Sequence, residues 1–155
     1  MLDQLKRPDT LVLADFVPFR LNRLADAVSV HLSDIYRDRF GLEIPEWRVL
    51  VTVGRHRACT AQQVAASTRM HKTRVSRAVA SLERRDLLAR ESKAEDGREM
   101  SLALTKPGRR MYAALVPLAL QRECGLLACL SPAERPGLLG ALAKLEAALA
   151  LSGDG

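Results

Sequence analysis

No stretch of this 155-residue chain reaches the roughly 18 uncharged apolar residues that a membrane-spanning helix needs. Charges at Asp3, Lys6, Arg7 and Asp9 likewise break up any N-terminal signal-peptide pattern. A soluble, cytoplasmic protein with no membrane partner is expected. Cysteine is scarce: Cys59, Cys124 and Cys129 form no CxxC pair and no zinc-ligand spacing with His31, His56 or His71. Reduced thiols are therefore expected, with no metal and no cofactor. Cys124 and Cys129, five apart, fall on different faces of one predicted helix and are badly placed for a mutual disulfide. There is also no carboxylate pair in an apolar setting, no assembled Ser/His/Asp set and no phosphate-cradling glycine loop, so an enzyme is not expected. No internal repeat or low-complexity segment is visible.

What the chain does have is an uneven charge. The net +6 hides a block at residues 46–110 with 15 Lys/Arg against 7 Asp/Glu. Residues 1–45 hold 6 against 7 and residues 111–155 hold 3 against 4, so both flanks are nearly neutral. One basic block between Leu/Ala-rich flanks suggests a central segment that faces a polyanion and two outer segments that face protein. A merely solvated basic surface would have the same composition.

Hydrophobic periodicity divides the chain into six helices and a hairpin. Leu21, Leu24, Val28, Leu32 and Ile35 recur at spacings of three and four, which predicts a helix over 17–39 that stops near Gly41. Pro45 opens a second helix through Trp47, Leu50 and Val51 towards Gly54. Thr60 and Gln63 have capping-box spacing before a short third helix, with Val64 and Ala65 inward. After the turn at Thr68, Arg69 and Met70, a fourth helix puts Val75, Ala78, Val79 and Leu82 on one face. Its other faces carry Lys72, Thr73, Ser76, Arg77 and Arg84. The period then changes: Met100, Leu102 and Leu104 alternate with Ser101, Ala103 and Thr105, which predicts a half-buried strand of a hairpin turning at Asp96-Gly97. Thr105 caps a fifth helix with Met111, Leu115, Leu118 and Leu126, and Pro117 predicts a kink near 113–117. Ser131 and Glu134 cap a sixth helix with a regular seam of Leu138, Leu142, Leu145 and Leu149, expected to stop at Gly153. Such a seam on a terminal helix needs a partner.

Two short helices, a tight turn and then a basic hairpin form the arrangement in which the second helix enters a DNA major groove. The chain resembles the MarR family of winged helix-turn-helix transcription regulators over roughly 16–149. The resemblance rests on RLNRLADAVS, IPEWRVLVTVGRH, TAQQVAASTRMHKTRVSRAVASLERRDLLARE and EDGREMSLALTKPGRRMY. It implies a mainly α fold with a small β-wing: one domain over 1–155, a DNA-binding lobe at 45–105 and a helical dimerisation lobe formed by 11–41 and 106–151. It also implies that Arg98 of Asp96-Gly97-Arg98 enters the minor groove, where a narrow groove concentrates negative potential, while Asp96 holds the wing in shape. Arg69 stands where many relatives carry glycine; positive φ there would cost about 1 kcal/mol.

The expected DNA-binding residues are therefore Lys72, Thr73, Arg74, Ser76, Arg77, Arg84 and Arg98. The expected activity is repression by a homodimer that places two recognition helices about one DNA turn, roughly 34 Å, apart on a palindrome of about 15 to 20 base pairs. The resemblance further implies a crevice for a small aromatic carboxylate or phenolic effector. Phe16, Phe19, Arg20, Arg23, His31, Trp47, Arg48, Met111 and Tyr112 have the chemistry for it, although each equally suits core packing or ion pairing. Relatives that sense peroxides use a cysteine near the start of the first helix; no cysteine precedes Cys59 here. The alternative is a constitutive or architectural DNA binder without effector.

Overall fold

The computed structural model describes residues 10–92 and 100–151. A single 3₁₀ turn at Leu13–Asp15 leads into α1 (Val17–Ser33), whose first turn contains Pro18. The predicted helix does not run uniformly to residue 39. At Asp34–Asp38 it widens into a π turn, whose longer hydrogen-bond spacing changes the register of the apolar face. Ile35 and Tyr36 are buried there, whereas α1 itself buries no residue. Gly41, at φ +60°, closes this segment with its N–H on the Arg37 carbonyl at 2.8 Å.

The helix α2 (Ile44–His56) is capped reciprocally: the Glu43 N–H donates to Glu46 Oε2 at 2.8 Å, and the Glu43 side chain accepts the N–H of Glu46. It buries Val49, Leu50 and Val53. Strand β1 (Ala58–Cys59) then leads through Thr60 into α3 (Ala61–Thr68). The predicted box is formed, with Thr60 N–H to Gln63 Oε1 at 2.8 Å and Gln63 N–H to Thr60 Oγ1 at 3.1 Å. Then come α4 (Lys72–Arg84), β2 (Leu88–Ser92) and β3 (Met100–Leu104). The sheet is antiparallel in the order β1-β3-β2, with Ala58 opposite Ala103 and Leu88 opposite Leu104.

Strand β3 departs from the expected alternation. Met100 is exposed, and Ser101, Leu102, Ala103 and Leu104 are all buried. β3 is the central strand and is covered on both faces, so period-two polarity is lost. Ser101 is accommodated because its hydroxyl donates to the Glu91 carbonyl at 3.2 Å.

The last helices are α5 (Lys106–Leu127), continuous through Pro117, and α6 (Glu134–Ala148). Thr105 Oγ1 accepts the Gly108 N–H at 3.0 Å and donates to the Asp86 carbonyl, so one hydroxyl caps α5 and ties it to the end of α4. The Ser131/Glu134 box is also formed. Cys129 lies in the turn after α5 rather than on it.

The main core joins α2, α3, α4 and the sheet through Leu42, Leu50, Val64, Val79, Leu82 and Leu102, with Leu115 from α5. Each is fully or almost fully enclosed, and burying a side chain of this size stabilises by about 2 kcal/mol. No residue of α6 is buried. Among the described residues no helix is long and apolar enough to cross a membrane.

Candidate nucleic-acid interface

The site is built on α4. Its inner face is locked by Val75, Ala78, Val79 and Leu82, all buried. The 3.6-residue period then leaves Lys72, Thr73, Arg74, Ser76, Arg77 and Arg84 exposed. Among the described residues none of Lys72, Arg74, Arg77 and Arg84 has an ion pair or a side-chain hydrogen bond. Neighbouring arginines behave otherwise. Arg90 pairs with Glu83 at 3.0 Å, holding β2 to the last turn of α4. Arg85, though exposed, folds back on the chain, donating to the Gly41 carbonyl at 2.9 Å and the Phe40 carbonyl at 2.7 Å. The exposed face of α4 thus keeps its cations free of carboxylates among the described residues, on a helix tied at its far end to β2 and to the Phe40–Gly41 backbone.

The turn into α4 is made by Arg69 in the left-handed conformation, φ 53° and ψ 26°, as the glycine comparison required. His71 is the N-cap, with its Nδ1 accepting the Thr73 N–H at 3.3 Å. Sequence reasoning missed both His71 and Arg85. A histidine just before a helix is a weak capping signal, and the carbonyl partners of Arg85 lie more than 40 residues away in the chain. Asp96, Gly97 and Arg98, the expected wing turn and minor-groove contact, lie outside the described residues.

The effector candidates do not gather in one crevice. Arg20 and Arg23 line an open groove of about 370 Å³ on α1 with Val17, Leu21, Leu24 and Ala27. The Arg23 guanidinium sits 5.9 Å from the centre of the Phe19 ring, and Phe16 is exposed just before the groove. Trp47 instead stacks on Tyr36, ring centres 5.6 Å apart and planes within 5°, at the edge of the core. Tyr112 and Met111 are half-buried against the same core, and the Tyr112 ring lies over Gly54. Arg48 is exposed on α2, and His31 is exposed in the last turn of α1.

His31 marks a join between elements: its carbonyl accepts from Arg122 of α5 at 3.1 Å, and Arg122 also pairs with Asp34 at 2.8 Å. The Arg122 guanidinium holds the Asp34 carboxyl below its ordinary 3.8. Cys59 is buried, and burial pushes its thiol up, which favours the unreactive protonated form. Cys124 and Cys129 are exposed free thiols.

A helix-turn-helix backed by a three-stranded antiparallel sheet, whose β2–β3 hairpin follows the second helix, defines a winged-helix protein. Residues 40–99 match the sequence profile of the MarR family. A MarR/EmrR family transcriptional regulator from Acinetobacter sp. ADP1 superposes with a TM-score of 0.82 at 26% identity, over 92% of this chain and 100% of that one. A probable transcriptional regulator from Pseudomonas aeruginosa gives 0.76 at 27% identity, over 86% and 99%. Bordetella bronchiseptica BpsR, described for regulation of its DNA binding by 6-hydroxynicotinic acid, gives 0.77 at 25% identity, over 88% and 97%. No curated protein sequence matches the chain. Residues 40–99 thus carry the MarR-family profile, and most of the chain shares the winged-helix fold of solved MarR-family transcription regulators.

Proposed function

We propose that this regulator is a homodimeric repressor that inserts α4 into the major groove of a palindromic operator and is released by a small aromatic or phenolic acid. In this reading 45–105 is the DNA-binding lobe, and 11–41 with 106–151 is the dimerisation lobe. Lys72, Thr73, Arg74, Ser76, Arg77 and Arg84 contact DNA, Arg98 reaches the minor groove and Asp96 supports the wing. The observation that carries the proposal is the contrast on α4. One face is wholly buried, while the other presents four cations without carboxylate partners among the described residues, the state expected of side chains that meet phosphates and base edges.

Dimerisation is supported by what a single chain leaves uncovered. Leu138, Leu142, Leu145 and Leu149 of the α6 segment are all exposed, as are Leu21 and Leu24 of α1. The effector is supported by BpsR, whose DNA binding responds to an aromatic carboxylic acid, and by the apolar groove at Arg20 and Arg23, which would suit a ring bearing a carboxylate. Phe19, His31, Trp47, Arg48 and Tyr112 complete the proposed ligand set only if effector binding rearranges α1 against α2 and α5.

Operator binding measured against salt concentration tests the DNA reading. Lys72→Ala and Arg84→Ala should each weaken binding for every sequence and lower the salt slope by about one. An unchanged slope in both variants removes them from the interface. Titrating aromatic acids while following operator affinity tests release. No response across a broad panel would leave a constitutive DNA binder.

A further inference from the structure

The hydrogen bond that caps α4 also fixes the chemistry of an exposed ring. Neutral imidazole carries one proton, and the nitrogen without it is the acceptor. Nδ1 of His71 accepts the Thr73 N–H, so Nδ1 has the lone pair and the proton resides on Nε2. Nε2 is on the far side of the ring from the capped backbone, and His71 is exposed. Among the described residues no partner is recorded for Nε2. The ring is held at one nitrogen by the helix, so the other has a set direction, unlike the ends of Lys72 and Arg74 on their flexible stems.

We infer that His71 is a specificity-determining residue of this regulator, its Nε2–H donating to the N7 of a purine in operator DNA. The inference rests on the proposed insertion of α4 into the major groove, where residues at the helix N-terminus lie nearest the base edges. Purine N7 is an acceptor in that groove that pyrimidines lack, and a directional donor reads it in a way that a mobile ammonium does not.

Serine is among the best N-caps and is too short to replace the ring, so His71→Ser separates capping from contact. The duplex used is the one the wild-type protein selects from a random-sequence library. His71→Ser should keep the thermal midpoint and bind this duplex about fivefold more weakly, the worth of one net hydrogen bond. Base preference at one position per half-site should be relaxed. Substituting 7-deazapurines and methylphosphonates one position at a time then identifies the acceptor. At the contacted purine the 7-deaza substitution should weaken the wild type and leave His71→Ser unaffected; a methylphosphonate that does so instead would put the donor on the backbone and overturn base reading. In the free protein, ¹⁵N shifts of His71 should show a protonated Nε2 and an unprotonated Nδ1.

Equal affinity and equal base preference for wild type and His71→Ser would overturn the contact while leaving DNA reading by α4 intact. Additive losses at every substituted position, or a proton found on Nδ1, would also overturn it. Failure of the wild type to select any duplex would overturn both this inference and the proposed function, and the ¹⁵N measurement would still report the tautomer.

Discussion

At the scale of single residues, the backbone shows where the chain accepts strain to set up the interface. Arg57, which ends α2, has φ 61° and ψ −43°, and Arg69 has φ 53° and ψ 26°. The Arg69 conformation is ordinary left-handed backbone, modestly unfavourable for a residue with a Cβ. The Arg57 pair is close to the classic γ-turn, which is rarer and more strained. Strain of this kind costs about 1 to 3 kcal/mol, and glycine returns up to about 1 kcal/mol in unfolded-state entropy. Arg57→Gly should therefore stabilise the protein by about 1 kcal/mol, seen as a raised urea midpoint with unchanged m-value; a lowered midpoint would show that the turn is unstrained. The exposed cations of α4 were legible in the sequence because helical period alone separates them from Val75, Val79 and Leu82. Arg85 was not, since an arginine that bonds distant carbonyls looks in sequence like its solvent-facing neighbour Arg84.

At the scale of elements, two joints control how α5 meets the winged lobe. A Cβ on Gly108 would collide with the Leu87 carbonyl oxygen, a backbone atom that cannot rotate away. Gly108→Ala should cost about 3 kcal/mol, the upper part of the overpacking range, measured by equilibrium unfolding. The second joint is Arg122 with Asp34 and the His31 carbonyl, which pins α5 to the π turn. The Asp34 carboxyl titrates lower in the folded chain than in the unfolded one, so the pair stabilises the fold at pH values above 3.8. That contribution is lost as pH falls through the lowered folded value. Asp34→Asn should therefore flatten the acid limb of the stability-versus-pH curve, and an unchanged limb would show that the pair does not couple to folding. The π turn itself was hidden in the sequence, where the apolar spacing through Ile35 reads as uninterrupted α-helix. The wider turn carries Tyr36 into the core, where its ring stacks on Trp47.

For the whole molecule, the division of labour between core and flanks is the governing fact. The enclosed core belongs mainly to the basic middle segment, while α1 and α6, in the nearly neutral flanks, bury nothing within one chain. Under the proposed dimer, Leu142→Glu combined with Leu145→Glu should give a chain that sediments as a monomer with its helical content retained. Operator affinity should fall by about a hundredfold or more, because two linked half-site contacts become one. A variant that remains dimeric would place the interface elsewhere. Helix order, the caps at Thr60, Thr105 and Ser131, the inward face of α4 and the charge asymmetry were set by local chemistry: side-chain periodicity, hydroxyl capping, and the positions of proline and glycine. Those properties depend on residues within a few positions of each other, so the amino-acid order was enough to determine them. The double-sided burial of β3, the Arg85 clamp, the Asp34–Arg122 joint and the dispersal of Phe19, His31, Trp47 and Tyr112 depend on which surfaces meet across dozens of residues. Only the folded chain decides such meetings, because packing and long-range hydrogen bonds leave no periodic trace along the sequence.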